Sequence, residues 1–157
     1  MLRRFLCVIS VAALLFSLSA CTDMGLPFKL EEFTAIVTVK STATEIKGEL
    51  TYVSPEDITF KVSEPENIKG MEFRSVSQSM NVSVGEVSFA TDSAKGSPVY
   101  MLFGLLKSIA QSAISIPLTG EKEIAFEHEG KICHVKIDCE EKRIVSIETE
   151  KTSYIFE

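Results

Sequence analysis

The sequence predicts an α+β domain, mainly β, in which one curved antiparallel sheet wraps around a single amphipathic helix at about residues 97–115. Three observations predict it. From Glu32 onward apolar residues alternate with polar ones over most of the chain, the period-two pattern of strands with one buried face. One stretch, opened by Ser97-Pro98, switches to a helical period. It lies between two runs of strands, and a sheet curling around it is the economical way to bury its wide apolar arc.

The first twenty residues stand apart from that domain. Arg3 and Arg4 are followed by an apolar run from Phe5 to Leu18, then by small Ser19 and Ala20 before Cys21. This is the three-part order of an export signal. The run is shorter than the ~20 residues that span a hydrocarbon core, so it is a poor permanent span. Leu18-Ser19-Ala20-Cys21 resembles the lipobox of bacterial prolipoproteins, in which the cysteine thiol is acylated and the chain is cut before it. The resemblance implies residues 1–20 as a removed signal, 21–30 as a lipidated cysteine and short tether, and 31–157 as one domain. It places the protein on the outer side of a membrane in the bacterial cell envelope, held by acyl chains on Cys21.

Removing twenty of 157 residues leaves 137, enough for one domain with a real core. Two of the 16 Lys and Arg leave with the signal, so 14 cationic side chains face 22 acidic ones, a formal charge of −8. That balance opposes nucleic acid as a partner, because a phosphate-binding surface needs a positive field. Of four cysteines, Cys133 and Cys139 remain once Cys7 is removed and Cys21 acylated. If both lie along one extended strand they are ~20 Å apart, too far for a disulfide, and are free thiols. A bridge requires the chain to double back between them.

Along the mature chain, Thr22 to Lys29 shows no alternation and reads as tether. Phe33, Ala35, Val37 and Val39, then Ile46, Gly48, Leu50 and Tyr52, form the apolar faces of a hairpin. After Ser54-Pro55, Ile58, Phe60 and Val62 give a third strand that Pro65 stops. Met71–Val76 and Met80–Phe89 supply more, with Gly70 and Gly85 at turns or bulges. In the helical stretch Val99, Leu102, Phe103, Leu106, Ile109, Ala110, Ala113 and Ile114 fall on one side, and Pro117 and Gly120 close it. Strands resume with Ile124 and Phe126; Cys133, Val135 and Ile137; Val145 and Ile147; and Tyr154 and Phe156.

Phe33-Thr34-Ala35, Lys47-Gly48-Glu49-Leu50-Thr51-Tyr52, Pro55 with Ile58-Thr59-Phe60, Pro65-Glu66 and Ser97-Pro98-Val99-Tyr100-Met101-Leu102 together resemble the LolA-like lipoprotein carriers. The resemblance implies a half-barrel with a concave apolar interior, and a lipid or the acylated end of another lipoprotein as its ligand. It departs from the family in lacking a helix before the first strand. The face from which such a site is built is Leu102, Phe103, Leu106 and Ile109 on the helix with Phe60, Phe73 and Phe89 on the sheet. The same residues also suit a plain filled core, which makes an envelope scaffold or interaction protein the rival expectation.

Other constellations are weak. His128, Cys133, His134 and Cys139 are metal-ligand types, but adjacent strand residues point to opposite faces, so no metal is expected. The paired carboxylates Glu31 and Glu32, Glu140 and Glu141, and Glu148 and Glu150 read as solvated faces. No nucleophile elbow, phosphate-binding glycine loop or calcium loop is present. Neither an enzyme nor a cofactor is expected.

Overall fold

The computed structural model describes residues 25–76, 79–90 and 96–157. Within them run β1 (Leu26–Phe28), β2 (Phe33–Ser41), β3 (Glu45–Ser54), β4 (Asp57–Glu64), a 3-10 turn (Glu66–Ile68), β5 (Glu72–Val76), β6 (Ser79–Val84), β7 (Val87–Ala90), α1 (Pro98–Gln111), β8 (Ile114–Ile116), β9 (Glu121–His128), β10 (Lys131–Asp138), β11 (Arg143–Glu148) and β12 (Thr152–Phe156). Ten strands form one antiparallel sheet in the order β7-β6-β5-β4-β3-β2-β12-β11-β10-β9. Two meanders, β2–β7 and β9–β12, are thus joined where the last strand docks against the first, with Phe156 opposite Val37 and Tyr154 opposite Val39. The sheet curves around α1, giving the mainly β, α+β architecture that the alternation implies.

The helix starts where Ser97-Pro98 places it. The Ser97 hydroxyl accepts from the Tyr100 amide at 3.1 Å, and Pro98 occupies the first turn, where its missing N–H costs nothing. Its end differs from the expected 115. The helix stops at Gln111, Ser112 caps it, and Ile114–Ile116 form β8. Ala113 and Ile114 continue the helical apolar spacing, so the sequence pattern runs past the true end. What ends the helix is non-local: Leu26, Pro27 and Phe28 pair with Ile116, Ser115 and Ile114. Part of the stretch read as tether is therefore strand, and Phe28 is buried in the core.

A second difference lies in β11. Ile144 and Ile147 face the core, whereas Val145, expected inward, is only partly covered. The β10–β11 register shifts between Lys136, opposite Ser146, and Ile137, opposite Ile144, which leaves Val145 as the extra residue of a bulge. Gly70 and Gly85 occupy turns with φ of 81° and 60°, in the left-handed region open to glycine.

One buried cluster runs from Phe28 and Val37 through Leu50, Tyr52, Phe60, α1, Val135 and Ile147 to Phe156. Gly48 belongs to its design. A Cβ there would lie 2.7 Å from Phe60 Cζ and 2.5 Å from the Lys61 carbonyl oxygen, so glycine lets the Phe60 ring lie directly on β3.

Candidate functional site

Of the residues expected to form the site, Phe60, Leu102, Phe103, Leu106 and Ile109 come together in the packed core. Phe60 stands opposite Phe73 and Phe73 opposite Val82, and the backbone of Phe89 pairs with Val82 in the same register row. Phe60, Leu102, Phe103, Leu106 and Ile109 are all buried, at 0–2 % exposure, in the same cluster. Phe73 is partly buried against it. For Phe89 only the backbone position in β7 is described. Cys21 lies outside the described residues. Phe60, Leu102, Leu106 and Ile109 leave no exposed surface of note between helix and sheet, while Phe103 borders a small cavity of about 90 Å³ shared with Met80, Tyr100 and Lys107.

Polar ties hold the helix against both arms of the sheet. Tyr154 Oη donates to the Pro98 carbonyl at 3.0 Å near the sheet centre. Lys107 Nζ donates to Ser75 Oγ on β5 at 2.8 Å, and Ser108 Oγ and His128 Nδ1 on β9 lie 2.8 Å apart. The Nε2 edge of His128 sits so close to the helix that a Cβ at Gly104 would meet it at 2.8 Å. His128 thus packs β9 onto α1. His134, on the outer face, reaches Glu123 Oε1 at 2.8 Å, while Cys133 is buried on the inner face. The strand therefore sends these two candidate ligands apart, as alternation requires.

Burial pushes the Cys133 thiol up, with Lys131 opposing in part. It pushes the Tyr154 phenol well above its usual range, helped by Cys133 and opposed by the Thr152 hydrogen bond. A thiol raised in this way carries little thiolate at neutral pH and is a poor nucleophile. Cys133 and Cys139 are both free and buried, as expected for inward positions of one extended strand and its turn.

Two larger spaces lie among the described residues: one of about 390 Å³ beside Gly96, Tyr100, Met101, His128 and Glu129, and one at the end of the sheet where β2 begins and β12 finishes. A cavity of about 410 Å³ has Leu30, Phe33, Ala35, Ile144 and Phe156 as its apolar lining. Its rim carries both signs: Lys29, Glu31 and Glu32 on the segment after β1, Glu141 and Lys142 on the β10–β11 turn with Arg143 at the start of β11, and Glu157. Arg143 pairs with Glu141, and Glu157 with Lys47 at 3.1 Å. Phe33 stacks on Tyr52 with ring centroids 5.6 Å apart and tilts against Phe156 at 6.3 Å. These aromatic contacts give the floor a fixed shape. Phe33, Ala35 and Phe156 carried an inward signal in the sequence. Ile144 did not, because the bulge at Val145 is set by pairing across strands.

The arrangement is a curved antiparallel sheet closed on a helix, with an amphipathic cavity at one end. No family model matches the chain. No curated protein matches it. Among solved structures the chain is similar to a LolA superfamily protein from Nitrosomonas europaea, with 8% identity and a TM-score of 0.34 over 82% of this chain and 67% of that one.

Proposed function

We propose that this chain is an exported lipoprotein, anchored to a membrane through Cys21, whose LolA-like half-barrel is a non-enzymatic binding module for an apolar ligand such as a lipid acyl chain. The observation that carries the reading is the cavity of about 410 Å³ floored by Leu30, Phe33, Ala35, Ile144 and Phe156. It falls in the range of small-molecule sites, roughly 300 Å³ upward, and combines an apolar floor with a charged rim, which suits an amphiphile. The site moves from the helix face to the end of the sheet. A non-catalytic role is supported by the raised Cys133 thiol and by the use of Ser108 and His128 in packing.

A second reading, an envelope scaffold with a filled core, is favoured by the full burial of Phe60, Leu102, Leu105 and Leu106 between helix and sheet. Titration of the membrane-extracted protein with a fluorescent acyl lipid separates the two. Saturable binding, competed by unlabelled lipid, supports the carrier; absence of saturation over several acyl lipids leaves the scaffold. The anchor has its own test. Intact mass of the extracted protein is expected to give a chain starting at Cys21 plus a lipid adduct, and an unlipidated chain starting elsewhere removes the anchor.

A further inference from the structure

The chain next to the proposed anchor is bound into the fold. Gly25 packs so closely on Ser115 that a Cβ would collide with its hydroxyl oxygen, and β1 is paired with β8 immediately after it. The leash from Cys21 is therefore only the four residues to Gly25, at most about 14 Å of extended chain. At the same end of the molecule two leucines face solvent: Leu26 at 39% and Leu118 at 68% exposure. Leu26 stands opposite Ile116, two residues before Leu118.

Hydrogen bonds fix this lip beside the cavity mouth. The Gly120 carbonyl, two residues beyond Leu118, accepts from the Cys139 amide at 2.8 Å, and Cys139 leads into the turn whose Glu141 and Lys142 form one rim. Lys122 Nζ donates to the Ser115 carbonyl at 2.8 Å, tying β9 to β8. On the other side, Phe28 ends β1 one residue before the rim residue Lys29. A short leash, exposed leucines and the cavity mouth thus share one end of the domain.

We infer that this end is a membrane-contact surface: Leu118 and Leu26 insert at the lipid interface and turn the cavity mouth toward the bilayer. The inference rests on the anchor proposed above. Leucine side chains gain by leaving water for the acyl boundary, and an anchor within four residues holds them at the surface long enough for a small apolar lip to suffice. The mixed rim, three basic and four acidic side chains, fits a zwitterionic lipid surface better than a strongly anionic one.

The chain contains no Trp, so one introduced indole reports its own surroundings. The full lipidated protein carrying Leu118→Trp, Leu26→Trp or, as control, Ile132→Trp is reconstituted into phosphatidylcholine vesicles with brominated acyl chains. Ile132 is 67% exposed on β10, whose residue Asp138 at the other end adjoins the cavity-side turn. Expected is a blue-shifted emission that loses most of its intensity to bromine for Leu118→Trp and Leu26→Trp, with Ile132→Trp unquenched. Co-flotation with vesicles while both leucine-site indoles remain as water-exposed as the control overturns the contact and spares the anchor. Failure to co-float overturns the anchor and the contact together.

Discussion

The phenol of Tyr154 donates to the carbonyl of Pro98 at 3.0 Å, joining the last strand to the first residue of the helix across 56 positions of chain. Tyr154 is fully buried, and its partner strand β2 begins the sheet's other meander. One hydroxyl thus fixes the helix start over the seam where the two meanders meet.

Removing it in Tyr154→Phe is expected to cost about 1–2 kcal/mol by urea unfolding at neutral pH, the usual range for a buried hydrogen bond whose acceptor loses its partner. The pH dependence has a definite sign. Burial holds the folded-state phenol well above the ordinary value of 10.0. Above that value the unfolded chain releases the proton while the folded chain keeps it, so stability is full below about 10 and falls as pH rises toward the folded-state pKa. Tyr154→Phe is expected to flatten that alkaline decline. An unchanged slope would mean that another group carries it.

Gly48→Ala is expected to destabilise by about 1–3 kcal/mol, the range for overpacking a tight core, because neither the Phe60 ring nor the Lys61 backbone can retreat cheaply. Gly70→Ala, at φ 81° with nothing within 4 Å, costs about 1 kcal/mol through backbone strain alone. Combining Gly48→Ala with Phe60→Leu is expected to recover part of the loss relative to the sum of the single changes. Simple additivity would show that the two residues do not compete for the same space.

The strands whose signal is local were legible. Val37, Val39, Leu50, Tyr52, Phe60 and Val62 alternate in sequence and face inward in the fold, and Ser97-Pro98 marks the helix start. The features that were not legible depend on partners distant in the chain. Ile114 fits a helix by its spacing and becomes a strand because Phe28 pairs with it. Val145 fits the inward pattern and is displaced by a bulge against β10. The cavity was hidden for a related reason: apolar periodicity tells which side chains turn inward, but whether they fill the interior depends on sheet curvature. Here Leu102, Leu106 and Phe60 are fully buried, and the apolar cavity of about 410 Å³ opens at Phe33 and Phe156.

Both inner thiols are expected to be unpaired but slow to react. Without reductant, alkylation in denaturant should label Cys133 and Cys139 fully, whereas the native protein at neutral pH should be labelled at Cys133 much more slowly than a free thiol in solution, because burial both shields it and raises its pKa. Rapid native labelling would show that the inner face of β10 opens readily. Recovery of a Cys133–Cys139 bridge would contradict the strand that carries Cys133.

The last prediction separates packing from ligand binding by placing changes at both locations. Leu102→Ala and Leu106→Ala each remove a fully buried side chain from the helix–sheet core and are expected to cost about 2–5 kcal/mol, read by urea unfolding. Because the cavity is lined by Ala35 and Phe156 and not by these leucines, acyl-lipid affinity should stay near wild type as long as the protein is folded. Ala35→Trp acts in the opposite way. Its indole occupies the cavity floor, where there is open space, so binding should weaken at least tenfold (about 1.4 kcal/mol) with little loss of stability. If instead the leucine variants abolish binding while remaining folded, and Ala35→Trp leaves it intact, the ligand enters between helix and sheet and the closed interior opens to admit it. That result would return the site to Leu102, Leu106 and Phe60 and make movement of α1 away from the sheet the step that controls access.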